Sequence, residues 1–185
     1  MIILASKSPR RKALLNKIFS EFLIVPANID ENKFPICDLS LIKAQTISQQ
    51  FPKDTIIAAD TFVELNNRIF NKPKSKFEAY TMLKELSNNT HKVTTYYTIL
   101  NKELNISLTK SVITLVTFNS LSDSLINEYI ESGSPLDKAG AYGIQDNDEY
   151  PIIKEYIGDL DNVIGLPVNN LRNDLLELGI TTNIK

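Results

Sequence analysis

A chain of 185 residues, 43% of them hydrophobic, can bury one core and is too short for several, so residues 1–185 read as one globular domain with room for two lobes. A formal net charge of −2 excludes the broadly basic surface that holds nucleic acid or an anionic membrane, and any anion site must therefore be local. No stretch approaches the roughly 18 uninterrupted apolar residues of a membrane span, and the amino terminus puts its apolar residues before its charges, the reverse of a secretory signal, which leaves the cytoplasm as the expected compartment.

Residues 2–5 form a short apolar run suited to a buried strand. Ser8 and Pro9 then stand as cap and first position of a helix whose apolar face is Leu14, Leu15, Ile18 and Phe19. Residues 22–25 read as a strand, and the loop beyond them holds Asp30 and Glu31. The one cysteine, Cys37, has no disulfide partner and no histidine nearby, and reads as an ordinary buried thiol. Residues 39–50 read as a helix. Residues 55–59 read as an apolar strand that stops at Asp60, and residues 61–65 and 68–70 as hairpin arms around Asn66-Asn67. A helix is expected over residues 77–86, strands near 92–100 and 111–118, and a serine-capped helix over 122–131. Strand-helix units mixed with hairpins predict an α/β domain on a mixed sheet.

Lys7, Arg10, Arg11 and Lys12 crowd the start of the first predicted helix, where the positive dipole end disfavours cations. Two readings stay open there. Free backbone N–H groups, the hydroxyls of Ser6 and Ser8 and the guanidinium forks would together suit phosphate oxygens; a solvated basic face on a capped helix is the alternative. Asp60 lies where open α/β sheets bind ligands, and it would serve either as a base or metal ligand or merely as a strand-end turn residue. A three-residue loop places Asp60 and Lys72 on one face of the hairpin, and a two-residue loop places Lys72 beside Thr61; either brings the Lys72 ammonium near Asp60. Asp30, Glu31 and Asp60 offer hard oxygen ligands to a divalent cation, although paired surface acids are also common. His91 is the only histidine, which excludes histidine-rich zinc sets and a serine triad with its usual base. No phosphate loop of the G-x-x-x-x-G-K-[ST] type is present. Hydrolysis would therefore use a carboxylate or metal-activated water.

Six ordered blocks give the chain a family likeness. They are Leu4-Ala5-Ser6-Lys7-Ser8-Pro9-Arg10-Arg11 with Leu14-Leu15, Asp30-Glu31 with Lys43-Ala44, Ala59-Asp60-Thr61, Lys72-Pro73, the run from Asp137 to Gln145, and Asn162-Val163-Ile164-Gly165-Leu166-Pro167. In this order they resemble the Maf family of nucleotide pyrophosphatases. The resemblance implies the elongated mixed sheet, flanked by helices around a central cleft, of the Maf and ITPase-like proteins. It also implies a nucleoside triphosphate substrate, a divalent metal cation (Mg²⁺ or Mn²⁺) and often a homodimer. Asp60 matches the family's proton acceptor, Glu31 matches a polar position lining the cleft, and the two carboxylates are expected to hold the metal. Ser6, Arg11 and Lys72 match residues that hold the triphosphate, Lys72 counting with Asp60 in the catalytic pair, and Lys43 lines the same cleft. Arg10, Thr61 and Gln145 match the subgroup acting on dTTP and UTP, whereas members favouring 7-methyl-GTP tend to carry an aromatic residue before the second arginine and Ser-Glu in place of Ile-Gln. A glutamine amide both donates to and accepts from a pyrimidine edge.

The chain departs from the family pattern at Asn71, Asn88 and Asp146, each standing where glycine is usual, and in a shortened segment between Glu31 and Lys43. A nucleotide-binding regulator of cell division with little catalysis is the rival reading that the same resemblance allows.

Overall fold

The computed structural model describes residues 1–182. Its strands are β1 Ile2–Leu4, β2 Leu23–Ile24, β3 Thr55–Leu65, β4 Arg68–Phe70, β5 Thr90–Asn101, β6 Ile106–Phe118 and β7 Ile153–Ile157. Its helices are α1 Pro9–Leu15, α2 Leu39–Ser48, α3 Lys76–Leu86, α4 Asp123–Glu131, α5 Leu160–Ile164 and α6 Val168–Glu177. The strands form one sheet in the order β2-β1-β3-β5-β6-β7, with β4 paired to β3 off that path. β1 runs parallel to β2 and to β3, while β3 with β4 and β6 with β7 are antiparallel, so the sheet is mixed as expected.

The chain divides into two compact units. One comprises Met1–Asp60, Thr95–Val112 and the chain from Gly165 onward, and the other Thr61–Thr94 and Ile113–Ile164. In the first, Ile3 and Ala5 of the β1 segment and Ile56 and Ala58 of β3 pack with Ala44 and Ile47 of α2. Their spacing of two puts them on one face of the strands. Ser8 caps α1 by accepting a hydrogen bond from Arg11 N at 3.3 Å, and Pro9 takes the first helical position. The helix ends at Leu15, earlier than its apolar pattern suggests. Turn bonds from Ile18 N and Phe19 N to Leu15 O still carry both side chains into the core. α6 is fastened by Asp174, 4% exposed, which accepts from the Tyr97 hydroxyl and pairs with Lys110. Satisfying a buried carboxylate in this way avoids a penalty of several kcal/mol.

In the second unit Leu65 pairs with Arg68 and Val63 with Phe70, so the loop is the two residues Asn66 and Asn67, both with positive φ (51° and 64°). Asparagine tolerates that left-handed geometry, which matches the twist of the strands it joins. The two-residue register is thus the one adopted. α3 and α4 begin at serine caps, Ser75 accepting from Glu78 N and Ser122 from Leu125 N. Both pack with Val63, Phe70, Val116, Phe118 and Ile153 around Tyr129. Of the three positions where the family usually has glycine, only Asn88 has a positive φ (56°), which asparagine accepts; Asn71 and Asp146 occupy backbone any residue adopts.

Two expectations are corrected. β3 does not stop at Asp60: it continues to Leu65, exchanging its parallel pairing with β1 at Thr55–Ile57 for antiparallel pairing with β4 at Val63–Leu65. The β-branched and aromatic residues Thr61, Phe62 and Val63 favour the extended backbone beyond the acid. Cys37 is exposed rather than buried, because it sits in a single surface turn, Ile36–Asp38, and the core begins only at Leu39.

In the run Ala139-Gly140-Ala141 the backbone turns left-handed against a neighbouring side chain. Gly140 has φ +69°, and a Cβ there would lie 3.0 Å from Val63 Cγ2. Gly140→Ala is expected to lower the unfolding free energy by about 1–3 kcal/mol in urea titrations; an unchanged midpoint would show that the turn relaxes freely.

Candidate functional site

The first unit gathers six of the sequence-predicted residues. The turn leaving β1 buries Ser6, whose Oγ accepts from Ser8 N (3.2 Å) and from Arg11 Nη1 (3.4 Å). Arg11 also donates from Nε to the carbonyl of Gly165 at 2.9 Å. The guanidinium plane is thereby set by two directed bonds, and Arg11 is half-buried rather than spread into solvent. Burial lowers its pKa; the Asp60 carboxylate opposes this, neighbouring Arg10 adds to it, and Glu31 opposes it. Asp60 and Glu31 therefore lie within electrostatic reach of Arg11.

Lys43 joins the two acids. From the inward face of α2 its ammonium contacts Asp60 Oδ2 and lies 2.7 Å from Glu31 Oε1. The side chains of Lys43 and Asp60 are 10% and 15% exposed, and that of Glu31 54%, so a nearly buried ion pair opens to solvent through Glu31. Asp30 is otherwise engaged: its Oδ1 accepts from Asn32 N at 3.3 Å and caps the turn Glu31–Lys33, which aims Glu31. Among the described residues no cluster of three or more acid, histidine or cysteine side chains forms a ready metal cage. Two carboxylates do suit Mg²⁺, which keeps several waters and binds through one or two carboxylates together with substrate phosphates. Asp60 and Glu31 are the two side chains here that would offer oxygen ligands to such a cation.

The second unit carries the remaining three. Thr61 is half-buried in β3, Lys72 is exposed beyond β4, and Gln145 is exposed on the turn Ile144–Asp146. Gly140 N donates to Asn71 O at 3.2 Å, which ties the loop bearing Lys72 to the run ending at Gln145. That run is backed by His91, whose Nε2 lies 2.7 Å from the Tyr142 hydroxyl and whose ring meets those of Phe118 and Tyr142 edge-on.

Two contributors were not legible in advance. Gly165 acts through a backbone carbonyl, which no residue type announces, and the block around it offered only its order as a signal. His91 supports the Gln145 run from behind, and its being the only histidine gave no hint of that partner.

The fold and this grouping define an α/β protein with a polar site on a central strand. The family model described as "Maf-like protein" matches residues 1–178, and the chain belongs to the Maf family. It is 47% identical over 182 residues to a protein named dTTP/UTP pyrophosphatase from Cytophaga hutchinsonii, covering 94% of this chain and 82% of that protein. Proteins of the same name from Pyrococcus furiosus (44% identity; 96% and 95% covered) and Clostridium perfringens (42%; 97% and 98%) are similarly related. Among solved structures the Ham1 protein of Staphylococcus aureus superimposes with a TM-score of 0.57 at 15% identity, over 95% of this chain and 98% of that one, which shows a shared fold. No helix among the described residues is long and apolar enough to cross a membrane.

Burial pushes His91 down to about 4, from an ordinary value of 6.5. A proton added to the ring would leave an N–H at Nδ1, which is buried without a partner. The unfolded chain therefore binds a proton that the folded one refuses between these values. Stability is full above about pH 6.5 and falls as the pH drops toward 4, by roughly 3 kcal/mol. His91→Phe keeps the ring packing and removes this increment, so the difference in unfolding free energy between the two proteins should change between pH 7 and pH 4. A constant difference would assign the acid sensitivity elsewhere.

Proposed function

We propose that the protein is a nucleoside triphosphate pyrophosphatase that hydrolyses dTTP and UTP to the monophosphate and pyrophosphate. The observation that carries the reading is the Asp60, Lys43 and Glu31 ion group within reach of the Ser6-bound Arg11, all in one unit. The names of relatives sharing 42–47% of their residues with the chain supply the substrate.

In this reading Asp60 accepts a proton from the water that attacks the α-phosphorus, while the bond from that phosphorus to the bridging oxygen breaks and pyrophosphate leaves. Oδ2 of Asp60 faces Lys43, and we assign the water to Oδ1. Lys43 then acts beside the base more than as a phosphate clamp. Arg11, Ser6 and Lys72 hold the triphosphate, a task of positioning and charge stabilisation that dominates phosphoryl chemistry. Asp60 and Glu31 would hold a Mg²⁺ or Mn²⁺ ion, which when bound supplies neutralisation of phosphate charge. Arg10, Thr61 and Gln145 choose the base. We place the enzyme in the cytoplasm, with the nucleotide pool, as a homodimer.

The deciding experiment measures pyrophosphate release from dTTP, UTP and 7-methyl-GTP with Mg²⁺ or Mn²⁺. Wild-type protein should turn over dTTP and UTP, and Asp60→Asn should fold and lose nearly all turnover. Dominant 7-methyl-GTP hydrolysis would overturn the substrate, and metal-dependent binding without turnover would favour a regulator. Arg11→Lys keeps the charge but cannot reach Gly165 O and Ser6 Oγ from one plane, so kcat/KM should fall by about 10- to 100-fold. Equal kcat/KM in the two proteins would make Arg11 a simple counter-charge.

A further inference from the structure

Gln145 sits on an element that has little to hold it. The turn Ile144–Asp146 contains three residues and is closed by Asp146 N to Gly143 O (3.1 Å) and Asn147 N to Ile144 O (3.3 Å). One turn of helix is marginal by itself, because nucleation fixes several dihedrals for each hydrogen bond gained. Its placement must come from outside.

The buried phenol of Tyr129, on α4, spans both ends of that turn. Its oxygen accepts from Gly143 N at 3.0 Å, and its O–H donates to Asp146 Oδ2 at 2.6 Å. Ser134 Oγ donates to the same carboxylate oxygen at 2.7 Å and accepts from Lys138 Nζ at 2.7 Å. Lys138 itself lies 3.7 Å from Asp146 Oδ2. Its stem crosses the bare face of Gly143, where an added Cβ would meet Lys138 Cε at 2.6 Å. Tyr129 is fully buried, so the staple is anchored in the core rather than in another loop. Burial, and then the bond to Asp146, push the Tyr129 ionisation up, which keeps its O–H a donor.

We propose that Asp146 is a positioning residue for base selection: through Tyr129 and Ser134 it staples the turn that presents Gln145, and so sets how well the protein distinguishes pyrimidine from purine triphosphates. The proposal rests on the reading of Gln145 as a base-contacting residue. The backbone at Asp146 has no positive φ and does not itself require glycine.

The test compares wild type with Asp146→Gly, Asp146→Asn, Tyr129→Phe and Gln145→Ala, reading kcat and KM for dTTP, UTP and dGTP, and the thermal midpoint. Asp146→Gly and Tyr129→Phe should raise KM for dTTP and UTP by about tenfold while kcat stays within about twofold. Discrimination against dGTP should shrink in both. Asp146→Asn retains an oxygen acceptor and should restore most of the wild-type KM. Should Asp146→Gly not fold, Tyr129→Phe carries the test, since it keeps the buried ring. Equal loss of kcat for all three substrates, or a lower midpoint with unchanged KM and preference, would overturn the staple. If Gln145→Ala leaves base preference unchanged, the reading of Gln145 is what fails; if Gln145→Ala alters preference and neither staple variant does, the reading stands and the staple falls.

Discussion

An ammonium group with a tenth of its side chain exposed is costly to bury, and Lys43 is tolerable on the inward face of α2 only because Asp60 and Glu31 both meet it. The dependence is mutual. Without the lysine, two carboxylates would face one another beside a half-buried arginine. Three segments distant in sequence, the Asp30-capped turn, α2 and the middle of β3, are thus held to one arrangement by charge. Arg11, fixed by Ser6 and Gly165, adds a second cation whose orientation is set by hydrogen bonds.

The second unit solves a different problem. Its polar residues sit on loops, and what holds them is backbone geometry: a two-asparagine hairpin before Lys72, a left-handed pair at Gly140 and Ala141, and a hydrogen bond from Gly140 to Asn71 between the two loops. Ala141 at φ 59° is a residue most chains would avoid in that conformation. Its neighbours, from Lys138 across Gly143 to Tyr142 against His91, are packed closely enough to impose it.

The elements that could be read from the sequence were those decided over a few residues. A hydroxyl at Ser8 or Ser122 reaches an N–H three positions on, and Asn66-Asn67 determines its own turn, so these starts and this hairpin appear where local chemistry puts them. β7 escaped because four of its five residues are exposed and show no alternation. α6 carries Asp174 on its buried face, which breaks the apolar stripe that would have defined it. The candidate residues were named from the ordered blocks, but their partners were not. That the lysine meeting Asp60 is Lys43, and that Glu31 rather than Asp30 shares it, depends on contacts across twelve or more positions, to which spacing is blind.

β3, β5 and β6 each pass from one unit to the other without a break. The first unit is completed only by the chain beyond Gly165, which brings Leu171 and Leu175 into its core and Asp174 to Tyr97. A nascent chain that has emerged only as far as α5 therefore holds Ser6, Arg11, Lys43 and Asp60 but lacks the carbonyl that orients Arg11 and the helix that closes their core. Assembly of the polar group waits on the stretch beyond α5, and neither unit corresponds to a continuous fragment that a protease could release whole.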